Sequence, residues 1–375
     1  MKTTAATLLL LLFATLLSAQ TVTPEDGNWS LKHVEMSNTP EAAFMARTGD
    51  IDNLGFGWSA GFNPFSGNST SSHTWPWTLD PADPDGTDRI MVISSFRGNP
   101  PNGDDGYTRD TSRPANSVRP IVLEYTPPAT ITNACLQMFV DDFQAPVWGS
   151  LYYVTLNGLR VPALETVINA INQTGPIGRM VTLRLEGDLL SQVSTGRLEI
   201  RIDDDSTGAG DGYAIDFVKL LINRTSFQHT GAVSGRVRHP ETSQVIPGAT
   251  VRIYDQEVTT DAQGIYTISG LPAGLHQVSV SVPGLRSRSI SAHVISGTTN
   301  TNTNITPLAG NFTLTNQIAM ELNFHAASGF RYDIESSPDM QTWTVQETIY
   351  GNDRQVTKFK GSGGAQQLFW RVRER

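Results

Sequence analysis

Hydrophobic and polar residues alternate along several short stretches of this chain. The alternation is regular over residues 180–187 and 197–203, and glycine, serine or aspartate residues flank both stretches. A period of two places successive side chains on opposite faces of a β-strand. Residues 162–173 instead have leucine, valine and isoleucine at helical spacing, and this stretch ends before Gly175 and Pro176. The pattern predicts an all-β chain with one short helix.

Strand and turn signals are frequent throughout residues 22–228. Residues 118–126 and 135–140 have strand composition, and Asn157-Gly158 predicts a tight hairpin turn. Many short strands with regularly spaced turns are typical of a jelly-roll sandwich, in which the first and last strands are neighbours. We therefore predict that residues 22–228 form a jelly-roll-like β-sandwich.

Residues 201–223, RIDDDSTGAGDGYAIDFVKLLIN, combine an acidic, glycine-rich turn with a long apolar stretch. The apolar stretch predicts a buried strand that closes the domain. Strict alternation predicts two faces for this strand, one formed by Tyr213, Ile215, Phe217 and Lys219 and the other by Ala214, Asp216, Val218 and Leu220.

The acidic turn has the ligand spacing of a calcium loop, with oxygens at alternate positions and glycine at the sixth. The residues in this pattern are Asp203, Asp205, Thr207, Gly208 and Asp211. The twelfth position is Ala214, where an EF-hand has glutamate, and no flanking helices are predicted. The pattern therefore favours a calcium-stapled β-turn, and a solvated acidic turn is the alternative.

Such a turn needs further ligands from elsewhere in the chain. The candidates are Asp216 and the group Asp50, Asp52 and Asn53, because adjacent first and last strands would bring these residues together. The segment Asp83 to Asp88 repeats the pattern of aspartate and glycine. Its residues are typical of turns, and they offer a second candidate cation site.

Aromatic residues are concentrated in residues 49–96, among glycine, asparagine, serine and proline. This composition excludes a helix and predicts an ordered loop region. Aromatic side chains on loops either pack as small cores or stack against a flat ligand such as a sugar ring. Trp75 and Trp77 are one residue apart and would share a strand face, so they are the predicted ligand platform.

The charge is unevenly distributed. Residues 22–228 carry 25 acidic and 14 basic residues, whereas residues 229–375 carry 11 and 12, and the net charge of the chain is -9. An acidic front half argues against a nucleic-acid partner, because phosphates require a basic face. It is compatible with divalent cations or neutral polymers.

The first 20 residues predict a secretory signal peptide, with the basic Lys2, a leucine-rich stretch and a cleavage site with small residues. No later stretch has the length and hydrophobicity of a membrane span. The chain has one cysteine, Cys135, and therefore no intramolecular disulfide. We expect a secreted or cell-surface protein that is held together by core burial, aided by metal.

Residues 231–308 contain the ordered motifs SGRV, IPGATV, VTTDAQGIYTISGLPAG and VSVSVPG. Pro247-Gly248 and the pair Asp261 and Gly264 predict tight turns between strands. This order of motifs resembles the carboxypeptidase regulatory-like family, which has a small transthyretin-like β-sandwich. The resemblance implies a spacer, scaffold or carbohydrate-binding-like module, and it does not imply peptidase activity.

Residues 311–375 follow a polar linker and predict a small C-terminal β-module. Glu335 to Asp339 with Trp343, and a closing strand around Phe369, resemble the C-terminal modules of secreted multi-domain bacterial proteins. The resemblance implies an attachment or sorting role.

The sequence contains no HExxH zinc motif, no nucleotide-binding loop and no strand before the GxSxG of Gly57 to Gly61, so we assign no catalytic residue. We predict a non-enzymatic modular protein that is stabilised by calcium and binds an extracellular polysaccharide or cell-surface component. One alternative is a polysaccharide hydrolase or lyase with an acid pair among Asp50, Asp52, Asp141, Asp142, Asp203 and Asp205. The other is a purely structural envelope or adhesion protein.

Overall fold

A computed structural model describes residues 29–59, 61–70, 80–94, 118–173, 177–209, 212–310, 319–361 and 368–375. The chain divides into two compact units, Met1–Gly310 and Asn311–Arg375. The predicted signal peptide lies outside the described residues. None of the described helices is long and apolar enough to cross a membrane.

The described strands up to residue 224 are β1 His33–Ser37, β2 Ala42–Thr48, β3 Ile90–Val92, β4 Ile121–Glu124, β5 Ala134–Asp141, β6 Tyr153–Leu156, β7 Leu159–Arg160, β8 Arg179–Leu185, β9 Arg197–Asp203 and β10 Gly212–Arg224. The helices in this part are α1 Ala145–Trp148, α2 Pro162–Ile168 and α3 Asp188–Gln192, with 3-10 turns at Pro64–Ser66 and Val193–Thr195.

Two sheets form a sandwich in this part of the chain. One sheet has the order β1-β2-β10-β5-β8, and the other has the order β4-β9-β6-β7. Their facing side chains share one core, to which Leu136 and Leu220 contribute from the first sheet and Val154 and Leu198 from the second. Burial of this apolar surface is the main driving force for the fold. The predicted all-β fold class is confirmed.

Local sequence signals correctly predict one hairpin and one helix in this part of the chain. β6 and β7 form the predicted hairpin, with Asn157 and Gly158 both in the left-handed region that this two-residue turn requires. Helix α2 is the predicted helix and begins at a proline. The expectation of a single helix is wrong, because two single turns are added. α1 has a proline in its first turn and ends at Gly149, whereas α3 follows Gly187 and continues into the 3-10 turn Val193–Thr195.

The predicted faces of β10 are wrong beyond Ile215. A β-bulge between Ile215 and Phe217 adds Asp216 as an extra residue opposite β5. Before the bulge Tyr213 and Ile215 face the main core, whereas after it Val218, Leu220 and Ile222 face the main core. One inserted residue reverses the alternation, because the period of a strand is two.

The loop aromatics near residue 60 pack as a small core. Trp58 stacks on Phe62 and meets the edge of Phe139 at 5.2 Å between ring centroids. Phe65 is buried against Phe217. These contacts confirm the core-forming interpretation for these aromatics.

The next strands are β11 Thr230–Arg236, β12 Thr250–Ile253, β13 Gln256–Thr259, β14 Ile265–Pro272, β15 Gly274–Ser281, β16 Arg288–Val294 and β17 Thr299–Asn300. β14, β11 and β17 form one sheet, and β15 pairs with both β12 and β16. Val233, Ile268 and Val280 belong to the core between them. β15 also pairs with β8, at Leu275 and Val181, so this sandwich lies in the same compact unit as the first.

The second unit contains β18 Ala319–Ala326, β19 Arg331–Ser337, β20 Thr344–Tyr350, β21 Arg354–Gly361 and β22 Phe369–Glu374. β18 pairs with β21, and β19 lies between β20 and β22. Its core includes Ala326, Tyr332 and Val356.

Candidate metal centre

The end of β2 and the bulge of β10 meet at one place. Thr48 pairs with Val218, two residues beyond the bulged Asp216. Gly49 follows with φ 80°, and a Cβ on it would lie 2.3 Å from the backbone oxygen of Asp216. Only glycine permits this close approach. The predicted proximity of Asp50 and Asp216 thus follows from the pairing of β2 with β10.

The loop after β2 folds back over the bulge. Asn53, Leu54 and Gly55 all have positive φ, which turns the chain sharply. The backbone N–H of Leu54 donates to Asp216 Oδ1 at 2.8 Å, and the backbone N–H of Gly55 donates to Asp52 Oδ1 at 2.7 Å. These bonds fix the positions of both carboxylates, and Asp216 Oδ2 accepts no hydrogen bond from a described residue.

A third segment brings two further carboxylates, which the sequence pattern alone places in a separate turn. β3 pairs with β10, with Ile90 opposite Ala214, and the backbone N–H of Asp88 donates to the Ile215 carbonyl at 2.8 Å. Asp83 and Asp88 therefore join the same cluster. The acidic pattern of residues 83–88 was visible in the sequence, but its pairing with β10 was not.

Two groups of three carboxylates result, and they share Asp88. Oxygens of Asp50, Asp83 and Asp88 lie within 4.8 Å of one another, and so do oxygens of Asp52, Asp88 and Asp216. All these residues are buried except Asp52, which is half-buried.

Lys32 serves as the counterion for the first group. Its Nζ lies 2.9 Å from Asp50 Oδ2 and also contacts Asp83. Although partial burial lowers the pKa of Lys32, hydrogen bonds to Asp83 and Asp50 raise it above its usual value. In the described part of the chain, neither Asp52 nor Asp216 forms an ion pair with a basic residue. These two carboxylates therefore lack a basic partner among the described residues.

Several oxygens in the cluster are out of water and accept no hydrogen bond. Among the described residues, Asp216 Oδ2, Asp50 Oδ1 and Asn53 Oδ1 have no donor. Asp216 is 0% exposed and Asp50 is 4% exposed. A buried acceptor without a partner costs about 1–3 kcal/mol, and more if it is charged. A cation placed among these atoms would satisfy them.

The pKa values of the carboxylates reflect the same shortage of positive charge. Burial raises the pKa of Asp216 well above its usual range, and the neighbouring Asp52 raises it further. Burial and the charge of Asp216 likewise raise the pKa of Asp88, and burial raises that of Asp52. An oxygen-rich site of this kind, without imidazole or thiolate, is suited to a hard cation such as Ca²⁺.

Of the other predicted ligands, Asp203 ends β9, Asp205 and Thr207 lie in the turn after it, and these three do not join the cluster. Asp203 Oδ1 accepts the backbone N–H of Asp204 at 3.0 Å, and Asp205 is exposed. Thr207 donates through its hydroxyl to Asp204, whose carboxylate also accepts the backbone N–H of Ser206. Asp204, which the spacing argument omitted, holds this turn together. Asp211 lies outside the described residues, and so do Trp75 and Trp77.

The second sandwich matches a known family. The family model of the carboxypeptidase regulatory-like domain covers residues 232–308. This segment is a carboxypeptidase regulatory-like domain. The match confirms the predicted resemblance. No curated protein sequence is significantly similar to the chain.

Solved structures resemble parts of the chain. A type II cohesin–X-dockerin complex from Acetivibrio cellulolyticus is 23% identical over 21% of this chain and 56% of its own, with a TM-score of 0.17. The TIE protein of Bacillus anthracis is 10% identical over 70% and 53%, with a TM-score of 0.20. A group B streptococcus pilus 2b backbone protein is 16% identical over 52% and 93%, with a TM-score of 0.19. The chain thus spans little more than half of the first two, and we base no argument on these similarities.

Proposed function

We propose that this chain is an exported, non-enzymatic modular protein whose N-terminal β-sandwich holds a calcium ion and binds extracellular carbohydrate or another cell-surface polymer. The observation that supports the cation is the buried, donorless oxygen of Asp216 among the carboxylates of Asp52 and Asp88. Export is supported by the predicted signal peptide, and polymer binding by the modular β organisation and by Trp75 and Trp77.

A doubly charged ion corrects the charge shortage more completely than protonation does. Removing a carboxylate from water is costly, and a second carboxylate within 4.8 Å adds repulsion. Extracellular modules bind Ca²⁺ with dissociation constants of roughly 10⁻⁴–10⁻³ M. A site of this strength would be filled outside a cell, where the signal peptide would direct the chain.

The donor set favours calcium over other common metals. Calcium takes about 6–8 oxygen ligands at roughly 2.3–2.6 Å in flexible geometry. Asp52, Asp88 and Asp216 would bind it, with Asp50 and Asn53 adjacent and water completing the shell. Zinc prefers nitrogen and sulfur ligands, and magnesium demands a near-ideal octahedron.

The same carboxylates hold the backbone, which supports a stabilising role for the ion. Asp216 and Asp52 accept backbone N–H groups from the loop after β2. Asp141, a candidate for the acid pair of a hydrolase, accepts the backbone N–H of Ile177 at 2.6 Å. A cation in the cluster would therefore connect three segments, namely the bulge of β10, the loop after β2 and residues 83–88.

Calcium titration of chelator-treated protein tests the proposal. A ligand that binds only the folded state stabilises it by about 2.7 kcal/mol when its concentration is 100 times the dissociation constant. We expect the unfolding temperature to rise with Ca²⁺ and to saturate, with a smaller effect of Mg²⁺. An unfolding temperature that is the same with Ca²⁺ and with chelator would refute the cation site.

Asp216→Asn is a sharper test, because its effect on stability should differ in sign between the metal-free and the calcium-bound protein. The amide keeps an oxygen that can accept from Leu54 and removes one buried negative charge. We expect the metal-free variant to be at least as stable as the metal-free parent, and its response to Ca²⁺ to be lost. Asp205→Asn, at an exposed acid of the predicted calcium loop, is the matched control and should keep the response of the parent.

Polymer binding and catalysis are separated by one further assay. Binding to extracellular polysaccharides without release of reducing ends is the expected outcome. Release of reducing ends that is lost in variants of the acidic residues would instead identify a hydrolase.

A further inference from the structure

The carboxypeptidase regulatory-like domain has a basic groove on the outer side of one of its sheets. We propose that this groove binds an acidic polysaccharide through Arg236 and Arg238. The inference rests on the proposed extracellular role but is independent of the calcium site.

The strand pattern places the basic side chains together. Along β11 and the residue pair after it, Val233 and Val237 are fully buried in the core. Ser234, Arg236 and Arg238 alternate with them and therefore lie on the opposite side. The stretch around SGRV thus serves two purposes, with its valines in the core and its polar residues on the outer side of the sheet.

The groove has a volume of about 260 Å³. It is lined by Ser234, Gly235, Arg236, Arg238, Ile265, Thr301 and Asn304. This volume is slightly below the roughly 300–1,000 Å³ of sites for drug-sized ligands. A groove of this size is suited to one or two sugar residues.

The described part of the chain does not balance the charge of the groove. No carboxylate is among the lining residues, and neither arginine forms an ion pair in the part of the chain that the structure describes. By contrast, the exposed Arg252 of the same domain pairs with Glu186 at 2.7 Å. The two guanidinium groups are therefore available for an external anion.

Arg236 has a further feature that indicates a ligand. Its Nε is buried and has no acceptor among the described residues. A carboxylate or sulfate can accept from Nε and a terminal nitrogen together, because its two oxygens match the planar fork of the guanidinium. Arg238 uses one terminal nitrogen for the Ser243 carbonyl at 2.9 Å, which fixes its position and leaves its other donors.

The remaining lining groups are suited to a sugar. Thr301 and Asn304 are exposed and offer hydroxyl and amide groups that can bond to sugar hydroxyls. Ile265 adds a partly buried apolar surface beside them. A nucleic acid would also present anions, so single-stranded DNA is one of the probes in the test.

The test measures binding of the full chain to four probes in chelator-containing buffer. The probes are polygalacturonate, which carries carboxylates, dextran sulfate, which carries sulfate esters, neutral dextran and single-stranded DNA. We expect binding to at least one of the two acidic polysaccharides, weakening with salt, and no binding to dextran. Comparison of the two acidic polymers identifies the anionic group.

The double variant Arg236→Gln/Arg238→Gln should weaken that binding by about tenfold or more. Arg286→Gln/Arg288→Gln is the matched control, because it removes the same charge as the test variant. Both arginines are exposed and lie in the same domain outside the groove. The control should change binding by less than about twofold. Circular dichroism should show that both variants fold.

Three results would overturn the inference. They are failure of both acidic polymers to bind, equal weakening by the two double variants, and DNA binding as strong as that of the polysaccharides. Because calcium is absent from this buffer and the calcium site is measured by unfolding temperature, failure here is distinguishable from failure of the proposed cation site.

Discussion

Asp216 and Lys219 are three residues apart on β10 and are both almost completely buried, yet their surroundings differ. Lys219 Nζ lies 3.0 Å from Glu41 Oε2 and 4.5 Å above the ring centroid of Phe65. Asp216 Oδ2 has no donor among the described residues. Burial penalises both charges, but only the lysine has a group of opposite charge beside it. At the scale of single residues, this difference separates a structural ion pair from a candidate cation site.

Glu41→Gln should destabilise the fold strongly. The substitution leaves the Lys219 ammonium buried without its carboxylate, and breaking a buried pair in this way costs about 3–5 kcal/mol. Urea denaturation near neutral pH measures the loss. Glu186→Gln breaks the exposed pair with Arg252 and should cost less than about 1 kcal/mol. Similar losses in the two variants would contradict the importance of burial.

His276 should make the first unit sensitive to acid. It is fully buried beside the Pro272 carbonyl, 2.7 Å from Nε2, and burial lowers its pKa from 6.5 to about 4. Between these values the unfolded chain binds the proton and the folded chain does not, so stability falls as the pH falls. Acidification from about pH 7.5 to about pH 5 should remove about 2 kcal/mol through this group.

His276→Gln keeps a donor for Pro272 and removes the titration. We therefore expect a smaller difference in the free energy of unfolding between the two pH values in the variant than in the parent. Equal differences would show that other groups cause the acid sensitivity. Titration of exposed carboxylates affects both proteins alike and cancels in the comparison.

Among the secondary-structure elements, the sequence correctly predicted those that short-range interactions determine. Asn157-Gly158 specified its hairpin, and helical spacing specified α2. The bulge at Asp216 has no such signal, because its cause is the register of β10 against β5 and the close approach of Gly49. The sequence therefore identified Asp50, Asp52 and Asp216 as cluster members but not Asp83 and Asp88, whose position depends on pairing between β3 and β10.

The acidic turn after β9 shows where prediction from local spacing fails. Alternating oxygens and a central glycine describe a calcium loop and an ordinary aspartate turn equally well. In the structure Asp204, which lies between the predicted ligands, accepts the backbone N–H groups of Ser206 and Thr207 at 3.0 Å. Spacing alone does not reveal which carboxylate points inward, since that depends on the strand that precedes the turn.

At the scale of the whole molecule, the first sandwich and the carboxypeptidase regulatory-like domain are joined closely. β15 pairs with β8, and the Thr182 hydroxyl donates to the Ala273 carbonyl at 2.8 Å. Gly67 and Gly274 lie at this junction, where added Cβ atoms would be 2.3 Å from the Val294 oxygen and 2.7 Å from the Thr182 hydroxyl. Backbone contacts of this kind indicate that the two sandwiches behave as one cooperative body.

Calorimetry of the full chain tests this organisation. We expect one unfolding transition for residues up to Gly310, including the regulatory-like domain, and a separate transition for Asn311–Arg375, because the chain divides at this point. Calcium should raise the temperature of the first transition and leave the second unchanged, since the ion would bind only the first unit. Gly274→Ala should lower the first transition alone, because it strains the junction at a residue with φ 126°. If the regulatory-like domain instead unfolded separately and without a response to calcium, the junction would be too weak to couple the two sandwiches.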